Sequence, residues 1–206
     1  MSTSHGYSDR ISHAFAFAAK HLPQRVRRGS GGLLTHPANV AVILARYGCD
    51  ETTITSGILS YLVNEASYTD RVSLTPRISE KFGTMVAEVV SQVVEPKYDG
   101  RGRERTWEVC RMDYLASLPG AGPRALDICV AHQIHLCAST LTDIRRLGVE
   151  YLTGSGGGSA EQTVWWYASI ITALEGVTGG PRPGMLSELR ALTGQVAEEL
   201  ERDGVE

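Results

Sequence analysis

Long apolar runs are missing from this sequence. No stretch of about 20 hydrophobic residues occurs, so no segment is expected to cross a bilayer. Cysteine is scarce, with four copies. Cys49, Cys110, Cys129 and Cys137 form no C-x-x-C pair. Three lie inside apolar helical patterns, so buried thiols in a reducing cytoplasm are expected. An excess of one charge sign is lacking too, at a formal net charge of -3 and a pI of about 6.1. Such a balance leaves no global footprint for nucleic acid, and any phosphate site must be local. The opening "MSTSHGYSDR" has no basic region followed by an apolar core, which argues against a signal peptide and for a cytoplasmic protein. No run alternates apolar and polar residues long enough to suggest a sheet.

What is present is a chain of 206 residues, 42% of them hydrophobic, enough for one domain with a sizeable core. Helical patterns dominate it. "SDRISHAFAFAAKHL" is expected to be a first helix capped by Ser8, with Pro23 just beyond its end. A basic, glycine-rich loop of about a dozen residues follows, of a length that often carries function. "PANVAVILARYG" places Pro37 at the first position of a second helix and Gly48 at its stop. Asp50 caps the third, which Glu51 complements.

After a polar loop, "TPRISEKFGTMVAEVVSQVV" gives a short helix, a break near Gly83 and an apolar fifth helix. "EPKYDGRGRERTW" is read as a solvated connection. Helices are expected from Thr106 to Leu118 and from Pro123 to Leu147. The second has a core-facing stripe of Leu126, Val130, Ile134, Cys137 and Leu141. A flexible glycine-serine loop near 153–160 precedes "TVWWYASIITALEG". An amphipathic helix over 184–203 closes the chain. Its Leu186, Leu189, Leu192 and Val196 either pack on the bundle or pair two subunits as a homodimer. The expected fold is a single all-α, irregular helical bundle spanning 1–206.

One helix does not read as plain core. In "GILSYLVNEAS", Tyr61, Asn64 and Glu65 fall at i, i+3 and i+4 and share a face, with Ser60 at its edge. Polar groups there are either satisfied structural groups or the lining of a site.

The stretch "RVRRGSGGLLTHPANVAVILARYG" resembles the HD-domain hydrolases of the RelA/SpoT family, which make and break guanosine tetraphosphate (ppGpp), and their small stand-alone relatives. Arg27, Arg28, Gly31, His36 and Pro37 stand at the family's places, with Leu33 where an aromatic is usual. The resemblance continues through "KFGTMVAEVVSQVV" and "RMDYLASL" to "WWYASIITAL", from Ser8 to Leu174. It implies an HD-type bundle. Where that family writes Leu-His-Asp-Val-Val-Glu-Asp, this chain has Leu59, Ser60, Tyr61, Leu62, Val63, Asn64 and Glu65. Where it writes Ala-Asp-x-x-x-Asn, this chain has Ala131, His132 and, at the asparagine place, Leu136.

Of the four metal-ligand places that the resemblance implies, only His36 is unchanged. A hard divalent ion favours carboxylate oxygens, so Ser60 and Tyr61 remove two donors and one charge. Without activated water, ppGpp hydrolysis loses its nucleophile. The expectation is therefore a repurposed, metal-free enzyme without cofactor, acting on a small molecule by general acid-base catalysis, with specialised biosynthesis a plausible setting. Glu65 is the candidate base, His132 or Tyr61 the acid, Asn64 the orienting amide and His36 a supporting group. Ser60, Arg27 and Arg28 are candidate ligand-binding residues.

Plainer readings stand beside these. His36 could bond a helix terminus, Tyr61 could fill the space of a lost metal, and Arg27 and Arg28 could be exposed loop cations. Trp165, Trp166 and Tyr167 read as core and surface aromatics before a stacking platform. A guanine-nucleotide or other anionic-ligand binder without turnover is one alternative. A phosphohydrolase using His36, His132 and Glu65 around a softer metal is another. His135, one turn from His132, completes the cluster of interest.

Overall fold

The computed structural model describes residues 7–22, 34–150, 152 and 159–202. The basic loop with Arg27, Arg28, Gly31 and Leu33, and residues 153–158 of the glycine-serine stretch, lie outside the described residues. The described residues form nine α-helices: α1 (Asp9–His21), α2 (Thr35–Arg46), α3 (Glu51–Glu65), α4 (Tyr68–Phe82), α5 (Thr84–Val93), α6 (Trp107–Ser117), α7 (Pro123–Leu147), α8 (Ala160–Glu175) and α9 (Pro183–Arg202). No strand occurs among them, only an isolated bridge between Tyr98 and Glu104.

Side chains at the helix starts explain several boundaries. Ser8, Asp50, Ser67, Thr106 and Ser159 each accept the orphan backbone N–H of the third helical residue. Ser159 and Gln162 complete a reciprocal capping box. Two starts differ from the sequence reading. Pro37 is the third residue of α2, not the first, because the helix begins at Thr35. The polar stretch before Thr75 is helical, since Ser67 caps α4 and Leu74, Ile78 and Phe82 form a buried stripe at i, i+4 and i+8. Pro76 therefore lies inside a helix. α4 and α5 part at Gly83, whose φ of 92° is a left-handed conformation that side chains rarely adopt.

α3 and α7 occupy the middle of the bundle. α3 packs on α1, α2, α4, α5 and α7, while α7 packs on α2, α3, α5, α8 and α9. Ile58, Leu59 and Leu62 of α3 and Ile128 and Val130 of α7 are fully buried. Each such side chain contributes roughly 1.5–3 kcal/mol on leaving water. The expected α7 stripe is buried throughout, and all four cysteines are free and buried. Leu186, Leu189 and Val196 of α9 are spent inside the chain, against the core. No helix among the described residues is long and apolar enough to cross a membrane.

The 95–106 connection is more than a solvated loop. Asp99 N–H donates to Arg103 O and Arg105 N–H to Lys97 O, closing a tight reversal. Its first residues return to the end of α3, as described next.

Candidate functional site

His36 lies in the first turn of α2, Ser60 and Tyr61 lie toward the end of α3, and His132 and His135 lie one turn apart on α7. Gly57 lets α2 approach α3 closely. A Cβ at that position would lie 2.8 Å from Leu44 Cδ1 and 3.3 Å from Val40 Cγ1. Three helices thereby bring their polar residues to one point.

A chain of hydrogen bonds joins them. Ser60 Oγ is 3.0 Å from Gly57 O and 3.0 Å from His132 Nε2, and His132 Nδ1 is 2.6 Å from His36 Nε2. The carbonyl can only accept, so the single Ser60 proton points to Gly57. Ser60 then accepts from His132 Nε2–H, which leaves His132 Nδ1 to accept from His36 Nε2–H. One backbone carbonyl thus sets the direction of both links, with His36 donating through Nε2–H.

Burial enforces this state. Ser60 and His132 are buried, and desolvation, with His135 as a lesser cause, pushes the His132 pKa down to about 3. At neutral pH His132 is a neutral relay with no proton to give as an acid. Burial also lowers the pKa of His135, whose ring meets His36 edge-on at 4.6 Å. His135 Nδ1 is buried without a hydrogen-bond partner. Tyr61 stacks on His36, with centroids 4.5 Å apart and planes at 27°.

Asn64 and Glu65 face the 95–97 segment. Asn64 Oδ1 accepts from Glu95 N–H at 2.9 Å, and Asn64 O accepts from Lys97 Nζ at 2.8 Å. Lys97 Nζ also lies 4.0 Å from Glu65 Oε1. The structure thus joins Ser60, Tyr61, His36 and His132 directly, and ties Asn64 and Glu65 to a neighbouring loop. Arg27 and Arg28 are among the residues not described. Sequence reasoning missed the Gly57 carbonyl and Lys97. His135 could be found from its spacing to His132, but nothing local marked Lys97 as part of this neighbourhood.

The metal site of the HD type can be tested against this donor set. Two of its places are a serine hydroxyl and a stacked tyrosine, and the two imidazoles face each other. A tetrahedral ion about 2.0–2.1 Å from each nitrogen would hold them roughly 3.3 Å apart, whereas they are 2.6 Å apart and share a proton. No three His, Cys, Asp or Glu side chains among the described residues are placed to hold an ion. As arranged, Ser60 and Tyr61 supply no carboxylate for a hard divalent cation, and the two imidazoles stand closer than a tetrahedral ion would hold them.

Elsewhere the aromatics divide as expected. Trp166 and Tyr167 are buried and Trp165 is exposed. Trp166 Nε1–H donates to Gln133 Oε1 at 2.9 Å, and Arg111 lies 4.1 Å over its ring.

Comparison with known proteins places this geometry in context. A family model described as HD domain matches residues 14–117. The "Probable GTP pyrophosphokinase" of Mycobacterium leprae (strain TN) is 30% identical over 125 residues, 61% of this chain. The chain spans 15% of the length of that relative. Among solved structures, lmo0812 from Listeria monocytogenes EGD-e superposes with a TM-score of 0.64 at 21% identity, covering 80% of this chain and 99% of that one. A metazoan ortholog of SpoT that hydrolyzes ppGpp gives 0.65 at 17% identity, covering 98% and 100%. At these identities the two structures speak to fold.

Proposed function

The chain belongs to the HD-domain family, and from that premise we propose that it is a repurposed member acting on a small molecule by metal-independent general acid-base catalysis. The observation that carries the reading is the Ser60–His132–His36 chain, in which imidazoles bond each other where an ion would need them apart. In the proposed mechanism His36 exchanges the proton through Nδ1. Neutral His132 is a positioning residue that fixes the His36 tautomer, as the buried third member of a catalytic triad does, but without its charge. Ser60 anchors His132. Tyr61 stacks on His36 and presents its ring to a bound molecule, and Glu65, one turn further on, is the second proton-transfer group. Asn64 holds the 95–97 segment in place instead of orienting substrate. Such a site suits proton transfer, elimination, cyclisation or addition of water to an activated substrate.

Two measurements test this together. Metal analysis of the purified protein, after exposure to Mn²⁺, Zn²⁺ and Fe²⁺, is expected to find no stoichiometric ion. Long-range ¹H–¹⁵N spectra of the histidines are expected to show His132 protonated on Nε2, with no change on adding EDTA. Near-stoichiometric metal that is lost in His132→Ala would replace this reading with a phosphohydrolase of rearranged ligands.

A second reading, a guanine-nucleotide binder without turnover, is supported by the similarity to the mycobacterial protein. It would rest on Arg27 and Arg28. Calorimetric binding of GDP or ppGpp with no product formed, lost in Arg27→Ala with Arg28→Ala, would favour it.

A further inference from the structure

α1 and α4 meet along a seam of rings and cations. His13, Phe17 and His21 fall at i, i+4 and i+8 and share a face of α1. The Phe82 ring lies 4.8 Å from that of His13 and 5.6 Å from that of Phe17. Arg77 lies 5.5 Å over the Phe17 ring, and its Nη2 is 3.0 Å from His21 Nε2. A guanidinium only donates, so His21 Nε2 accepts through a bare lone pair and the ring proton stands on Nδ1. The bond therefore exists only while His21 is neutral. A proton taken up from water at Nε2 removes the acceptor and sets two cations face to face.

The surroundings do not offset that repulsion. Among the described residues the charges acting on His21 are Arg77 from α4 and Lys20 from its own helix, both positive. α3 also packs on α1, but its Glu51 sits at the opposite end, against Ser8 and Arg10. Burial first, then Arg77, lower the His21 pKa, against the preference of a helix C-terminus for a cation. Leu22, which follows, is buried, and its N–H donates to Ala18 O at 2.8 Å. The next described residue is Leu34, the N-cap of α2, two residues before His36. The end of α1 thus holds one end of the connection that leads to His36. We propose that the Arg77–His21 contact is a proton-released latch, which fastens the end of α1 to α4 at neutral pH and opens in acid. The proposal does not depend on how the Ser60–His132–His36 site works.

Histidine ring spectra of the full chain across the acid range, with hydrogen exchange at the Leu22 amide, test it. His21 should titrate below 6.5 in the wild type and at a higher pH in Arg77→Met, which removes the charge and the donor but keeps an unbranched apolar side chain. The Leu22 protection factor should fall at least about threefold from pH 7 to pH 5 in the wild type, beyond any fall in Arg77→Met. His132 titrates in both proteins and cancels in that comparison. Should Arg77→Met fail to fold by circular dichroism, His21→Gln serves instead. Its amide oxygen accepts from Arg77 at any pH, so Leu22 protection should lose that threefold fall. A His21 midpoint above 6.5, a midpoint unchanged by Arg77→Met, or an equal pH dependence of Leu22 exchange in wild type and variant would each overturn the proposal.

Discussion

His132 is buried as a neutral imidazole, which makes the protein sensitive to acid in a way that one substitution isolates. Its pKa is about 3 in the folded chain against an ordinary 6.5. Between those values the unfolded chain binds a proton that the folded chain refuses. Stability is therefore fully present above pH 6.5 and falls as pH drops towards 3. For a single group with these two values, lowering the pH from 7 to 5 costs about 2 kcal/mol. His132→Asn keeps an acceptor for His36 Nε2–H and removes the titration. Urea unfolding of both proteins at pH 7 and pH 5, followed by circular dichroism, reads the double difference. His21 and His135, whose pKa values burial also lowers, act in both proteins and largely cancel. The wild type should lose about 2 kcal/mol more than the variant over this interval. A double difference below about 0.5 kcal/mol, or of the opposite sign, would refute the neutral buried imidazole.

Other perturbations have defined outcomes. Gly57→Ala drives a methyl against Leu44 and Val40. It should lower stability by about 1–2 kcal/mol in thermal melts, overpacking outweighing the gain in helix propensity. Asp127 accepts from both the backbone N–H and Nε of Arg182, so Asp127→Ala should cost about 1–3 kcal/mol in denaturant titration. Gln133→Ala orphans the buried Trp166 indole N–H and should cost a similar 1–3 kcal/mol, roughly, with a shift in tryptophan emission. Burial holds the thiol pKa of Cys49 and Cys137 up at about 11 and that of Cys129 at about 12. These three should resist thiol reagents at pH 8 in the folded chain and react once urea unfolds it; rapid native labelling would contradict the packing.

The parts legible in the sequence were those set by neighbours a few residues away. Ser8, Asp50 and Thr106 marked helix starts because a capping oxygen serves the next turn. The α7 stripe was legible because apolar spacing and burial obey the same period. The front half of α4 was not, because only one side of it meets the core and Pro76 imitates a start signal. The site divides in the same way. Tyr61, Asn64 and Glu65 share a helix face by spacing alone, whereas the nearness of His36 to His132 followed only from the resemblance to HD hydrolases. The direction of their hydrogen bonds depends on the Gly57 carbonyl, which no side-chain pattern announces. Attachment of Asn64 to Glu95 and Lys97 depends on how a charged connection folds back over 31 to 33 residues.

Each link of the imidazole chain crosses between helices, over 96 residues from His36 to His132 and 72 from Ser60 to His132. No fragment lacking α2, α3 or α7 can carry the whole arrangement. A partly ordered state with its helices intact but its side-chain packing lost would keep its far-ultraviolet signal and have no paired imidazoles at all. The lineage could likewise lose the site without changing any of its polar residues, through one larger side chain at position 57.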